Sequence, residues 1–230
     1  MQSAASDFAF IGARDYVHAP TMFEAFRARI TAAAGAAEPG DFSFRFLRVN
    51  QTVRANGVIA VAPADAPRPA WGRPAAEIAC SAAGHSWYAA LYDRDATPIE
   101  RRVPAREKTY IGAVDLEQPF TGEAALQGIR DNDDLFQALV EANKQVHLKT
   151  LTGDPLSGEV RFRFVYCLDY ACAPEVGGGA GRVRIASEGL RDAGDYLFSL
   201  TRLELHLGAY TRAFKLCFAS ADMKRRMQSA

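Results

Sequence analysis

Two residues in this chain stand where they could move protons. One is Glu141, in the run Glu141-Ala142-Asn143-Lys144-Gln145. It falls two turns into a helical stretch, too deep for helix capping to account for it. Its ordinary explanation is an exposed carboxylate beside Lys144, three residues further on. The other is His18, just ahead of an earlier helical stretch. An unperturbed imidazole titrates near ~6.5, which suits a base at neutral pH; its plainer explanation is a polar loop residue. Arg14, Asp15 and Tyr16 precede His18, and Arg130 and Asp131 precede the second helix. Each aspartate could form an Asx turn, and each arginine could pair with its aspartate. Four cysteines without a CxxC pair and four histidines without HxH or HExxH spacing argue against a metal site and a disulfide framework.

These groups sit in a pattern that occurs twice. Gly12-Ala13-Arg14-Asp15 leads into Phe23-Glu24-Ala25-Phe26-Arg27, and Gly128-Ile129-Arg130-Asp131 leads into Val140-Glu141-Ala142-Asn143-Lys144-Gln145. Glu24 and Glu141 lie at nearly the same distance beyond Asp15 and Asp131. Two copies packed together make a cleft that can take one group from each. At 230 residues, two repeats of about 110 fit ordinary domain sizes. With 49% apolar residues, 23% charged residues and zero net charge, the chain reads as globular. No field favours nucleic acid or an anionic membrane. No segment is apolar and long enough to span a bilayer, and no secretory signal is evident, so a cytoplasmic protein is expected.

The elements that must position the site follow from periodicity. Phe8–Ile11 reads as a short strand. Thr21 starts a helix with a Thr21-x-x-Glu24 capping box, a buried stripe of Met22, Phe23, Phe26 and Ile30, and a stop at Gly35. Phe42, Phe44 and Phe46 alternate along a strand. Asn56-Gly57 signals a tight turn before Val58–Val61. A loop over Pro63–Pro74 precedes strands at Ser86–Tyr92 and Ile99–Val103. Thr109–Val114 opens the second half as a strand, followed by a loop through Pro119, Gly122 and Gly128. A helix over Asp134–Leu148 then buries Leu135, Leu139 and Val146. Strands follow at Val160–Leu168, Val183–Ile185, Tyr196–Leu207 and Tyr210–Ala219, with a hairpin connection at Gly177–Gly181. Lys224–Ala230 is expected to fray. Those lysine and arginine residues form a solvated tail on which an acidic carrier protein could dock.

Glu141-Ala142-Asn143-Lys144-Gln145 resembles the acid-Ala-x-x-Gln signature on the central helix of hotdog β-hydroxyacyl thioester dehydratases. Leu139-Val140-Glu141-Ala142-Asn143-Lys144-Gln145 also resembles a segment of A-factor synthase-like hotdog proteins. The first resemblance implies a catalytic pair of Glu141 and His18. His18 would take the α-proton of a β-hydroxyacyl thioester. Glu141, protonated by burial, would give its proton to the departing hydroxyl. Gln145, Arg14, Asp15, Tyr16, Arg130 and Asp131 would bind substrate, with an arginine on the phosphate of a pantetheine arm. The family's histidine lies further ahead of its helix and in a glycine context, whereas here Pro20 follows closely.

The expectation is therefore an α+β chain of two tandem hotdog-like repeats, each strand, long helix and antiparallel strands. The repeats span residues 1–106 and 107–230 and form a pseudo-dimer with one continuous sheet. The expected activity is dehydration or hydration of acyl thioesters on an acyl carrier protein or coenzyme A, with no cofactor and no metal. A thioesterase, an A-factor-type acyltransferase and a non-catalytic acyl-binding module remain open, as does a homodimer.

Overall fold

Antiparallel strands wrapped on a helix recur in each of two units, Met1–Ala105 and Arg106–Ala230. The computed structural model describes residues 1–35, 41–46, 53–105, 107–173, 176 and 180–229.

Unit one carries β1 (Gln2–Ala5), β2 (Phe10–Ile11), α1 (Ala19–Ala33), β3 (Asp41–Phe46), β4 (Ala55–Pro63), β5 (Ala76–Ala82), β6 (His85–Pro98) and β7 (Arg102–Val103). Its main sheet runs β1-β4-β6-β5-β3, every pairing antiparallel. α1 packs on β4, β5 and β6, burying Met22, Phe23, Phe26 and Ile30 as the spacing predicts. Gly35, at φ +83°, follows the helix end.

Three local expectations fail here. The helix begins two residues before Thr21. His18 is its N-cap, and Pro20 sits in the first turn, where a missing N–H costs nothing. The Thr21/Glu24 capping box therefore does not form. Only Phe10–Ile11 of the first expected strand is a strand, and it pairs in parallel with β7. The Phe8 N–H instead donates to Asn56 Oδ1 at 2.7 Å. Asn56-Gly57 is no turn. It lies inside β4 at a bulge, where a Cβ on Gly57 would stand 2.2 Å from the Tyr92 carbonyl oxygen. Glycine is needed there because a neighbouring backbone approaches closely. The loop between β4 and β5 lies over Ala60, Ala62, Tyr88, Ala90 and Tyr92 through Ala66 and Trp71. Trp71 meets Tyr92 edge to face, and Arg68 and Arg94 sit over Tyr88 and Trp71.

Unit two opens with a 3₁₀ turn (Glu107–Tyr110), where the start of a strand was expected, and continues through β8 (Ile111–Gln118), β9 (Thr121–Leu126), α2 (Asn132–Thr152), β10 (Arg163–Ala171), β11 (Gly181–Ala193), β12 (Tyr196–Leu207), β13 (Tyr210–Ser220) and α3 (Ala221–Ser229). Its sheet runs β10-β13-β12-β11-β9-β8, again antiparallel throughout. The expected loop through Gly122 is strand β9, joined to β8 by a turn at Pro119 and Phe120. Most of the expected Gly177–Gly181 connection lies outside the described residues; Gly181 itself begins β11.

The tail is ordered as α3 rather than frayed. Met223 is buried with Phe120, Leu148, Val160 and Leu197. Lys224 reaches Asp192 at 2.6 Å, Arg225 pairs with Asp222 and Arg226 with Glu159. Its cations are spent on the molecule's own carboxylates. No helix among the described residues is long and apolar enough to cross a membrane.

Candidate functional site

The site is built on α2, the best-capped helix of the chain. Asp131 is its N-cap and accepts from the Asp133 and Asp134 N–H groups at 3.0 and 2.8 Å. Asp133 and Asp134 place negative charge at the positive end of the helix dipole, and Lys149 places positive charge in the last turn. Gly153, left-handed at φ +76°, closes the helix with its N–H on the Lys149 carbonyl. Asp131 thus forms the Asx-type cap that its sequence suggests, and the oxygen it uses is spent on the helix rather than on substrate.

Arg130 does not pair with Asp131. It forks onto buried Asp134, Nε to Oδ2 at 2.6 Å and Nη2 to Oδ1 at 3.0 Å. The Tyr110 hydroxyl also donates to Asp134. Burial opposes charge on Asp134, but the guanidinium and the hydroxyl outweigh it and hold the carboxyl below its ordinary value. Burial, then the bond to Asp134, pushes the Tyr110 hydroxyl up. This cluster ties the 3₁₀ turn to the start of α2.

Two turns further along, Glu141 is 3% exposed, which overturns its explanation as a solvated surface charge. Lys144 Nζ lies 3.2 Å from Oε2, and Gln145 Nε2 donates to Oε1 at 3.1 Å. Both carboxylate oxygens are therefore acceptors. Gln145 is also 3% exposed, whereas the Lys144 side chain is 24% exposed. Gln145 is thus hydrogen-bonded to Glu141, and Lys144, its expected neighbour, completes a three-residue group drawn from one turn of helix.

The opposite side of α2 carries polar groups outside the expected site. His147 is wholly buried. Nδ1 lies 2.7 Å from the Asn143 carbonyl, which can only accept, so Nδ1 bears the proton. Nε2, 2.6 Å from Ser199 Oγ on β12, then accepts from the hydroxyl. Burial lowers the pKa of His147 to about 4, the bond to Asn143 only partly opposing it. Asn143 is 0% exposed, and neither of its side-chain polar atoms has a hydrogen-bond partner among the described residues. The one sequence signal for this face was the i, i+4 spacing of Asn143 and His147 within an otherwise apolar stripe.

In unit one, His18 is half-buried and caps α1 with extended backbone; its side chain makes no capping bond, and its carbonyl accepts from the Met22 N–H at 3.2 Å. Asp15 is exposed and pairs with Arg54 at 3.2 Å. Arg102 clamps the same segment, donating to the Gly12 carbonyl and, at 2.7 Å, to that of Arg14. Tyr16 is half-buried.

The caps also correct the correspondence between the halves. Gly12 and Gly128 are both left-handed, at φ +58° and +65°. Three residues intervene between Asp15 and α1, whereas α2 starts directly after Asp131. Counted from the caps, the counterpart of Glu141 is Ala28, and Glu24 lies about one turn earlier, on the exposed surface. Among the described residues, unit one therefore has no equivalent of the Glu141 group.

No family model and no curated protein matches the chain. Solved structures do. The chain is similar to an oleoyl thioesterase (putative) from Lactobacillus plantarum at TM-score 0.51 and 10% identity, covering 95% of each chain. It is similar to a tesB protein of Mycobacterium avium subs paratuberculosis at TM-score 0.50 and 13% identity, covering 95% of this chain and 92% of that one. A hot dog fold protein of unknown function from Alicyclobacillus acidocaldarius follows at 0.47 and 13%, covering 90% and 87%. At these identities the likeness is one of fold: the chain is an α+β protein of the hotdog type.

Proposed function

We propose that the chain hydrolyses acyl thioesters, with Glu141 as the general base that takes a proton from water. The observation that carries this reading is the arrangement of the carboxylate itself. Lys144 and Gln145 both donate to it, which suits a proton acceptor. Dehydration asks the reverse of Glu141, a proton given to the departing hydroxyl, and needs His18 as the base. Hydrolysis makes neither demand. Gln145 fixes the carboxylate rotamer from one turn away, so the acceptor is held in place before substrate arrives. The fold, shared with a chain described as an oleoyl thioesterase, fits this reading. The acyl group would arrive on coenzyme A or on a carrier protein, since both present it on the same thiol arm.

The test is release of free thiol from decanoyl-, palmitoyl- and oleoyl-coenzyme A, followed with a thiol-reactive chromophore. Glu141→Gln keeps the shape of the side chain and one of its two acceptor oxygens while removing the base. Its rate should fall by a factor on the order of 100 to 10,000. Turnover of 3-hydroxyacyl or crotonyl thioesters that changes the enoyl absorbance and requires His18, without thiol release, would replace hydrolysis by dehydration.

A further inference from the structure

Resting on the hydrolytic reading, we infer that Lys144 is a second catalytic residue, the cation that holds the oxyanion formed when water adds to the thioester. Three observations lead there. Lys144 Nζ stands 3.2 Å from Glu141 Oε2, so a water held by the carboxylate lies next to an ammonium. An ammonium has three donors. One is spent on Glu141, and among the described residues no other acceptor takes the remaining two. The pair is also asymmetric, Glu141 being 3% and Lys144 24% exposed. Solvent, and hence a substrate carbonyl, reaches the Lys144 side chain more readily than that of Glu141.

Two other cations of the α2 region are committed. Lys149 donates to the Val114 carbonyl and Arg130 forks onto Asp134. Among the described residues, Lys144 alone combines uncommitted donors with contact to the proposed base. Its place in the sequence, three residues beyond a glutamate, is that of an ordinary surface ion pair of little energetic weight. Burial of the glutamate changes its meaning, because a charge pair at a partly enclosed site acts on a nearby reacting group far more strongly than one in water.

The step balances without any further reagent. Water attacks the thioester carbon as its proton passes to Glu141. The carbonyl electron pair moves onto oxygen, and the oxyanion rests on Lys144 Nζ. When the oxyanion collapses, the C–S bond breaks and the thiolate takes the proton back from Glu141. The products are a carboxylic acid and a free thiol, and both side chains return to their starting charge.

The experiment compares Lys144→Met and Lys144→Arg with wild type on oleoyl-coenzyme A, measuring kcat, KM and melting temperature. Loss of one oxyanion donor should lower kcat by about 100-fold while KM stays near its wild-type value, because the developing charge exists only in the transition state. Lys144→Arg should regain much of that loss, since it restores the cation. Lys144→Met with wild-type kcat at an unchanged melting temperature overturns the inference. So does Lys144→Arg no faster than Lys144→Met with both as stable as wild type. If Lys144→Met does not fold, Lys144→Gln takes its place in the comparison. A wild-type protein that hydrolyses no thioester removes the hydrolytic reading and this inference with it. An active wild type with an equally active Lys144→Met removes only the inference.

Discussion

Acid should loosen α2 through His147, and the size of the effect follows from its surroundings. The ring is enclosed by Phe120, Phe162 and Phe218, with Ser199 on one nitrogen and the Asn143 carbonyl on the other. None of these groups offers a negative charge to an imidazolium. Burial therefore lowers the pKa from 6.5 to about 4 in the folded protein. Below pH 6.5 the unfolded chain takes up a proton that the folded chain refuses, so stability is full above that pH and is lost as the pH falls toward 4. A shift of this size corresponds to about 3 kcal/mol, a large part of the stability of an ordinary domain. The helix that would unravel carries Glu141, Lys144 and Gln145, so activity should fail in the same range.

Urea unfolding followed by circular dichroism, for wild type and His147→Gln across pH 4 to 7, isolates the effect. Carboxylates common to both proteins cancel in the difference. The wild-type advantage should shrink by about 3 kcal/mol from pH 7 to pH 4. A difference that stays flat across that range would refute the assignment of a neutral, buried imidazole.

Three further outcomes test the rest of the structure. Gly57→Ala should cost on the order of 2 kcal/mol, because a Cβ 2.2 Å from the Tyr92 carbonyl forces β4 and β6 apart; a urea midpoint within experimental error of wild type contradicts the close approach. Asp131→Ala should lower stability by about 1 kcal/mol with kcat unchanged, and Asp131→Asn should be nearly neutral, as befits a cap rather than a substrate ligand. Asn143→Leu should raise the melting temperature, since it replaces a buried amide that no described residue satisfies with a side chain of similar size; a destabilised variant would mean that the amide is paired in solution.

Much of the chain could be read locally. The stripe of Met22, Phe23, Phe26 and Ile30, the extents of β12 and most of β13, and the Asp131 turn all depend on neighbours within a few residues. Such patterns are set by helix and strand periodicity, and the sequence carries that directly. The order of strand, helix and antiparallel strands in each half follows from the same signals.

The errors at the glycines and in the tail have one cause, contacts distant in sequence. Asn56-Gly57 and Gly122 look like turn residues, yet both glycines sit in strands because a partner backbone comes within 2.2 Å of where their Cβ would be. The Lys224–Arg226 tail looks solvated, yet it forms a helix because Asp192 and Glu159, distant in sequence, neutralise two of its cations. Thr21-x-x-Glu24 looks like a capping box, yet Pro20 and His18 set the start of α1.

The candidate site divides along the same line. Residue types and spacing alone brought Glu141 and Gln145 together, because i, i+4 neighbours meet on any helix. Burial is a property of what packs around a helix, not of the helix itself. Only the folded chain could decide that Glu141 is enclosed, and that Glu24 in the other half is neither buried nor its counterpart.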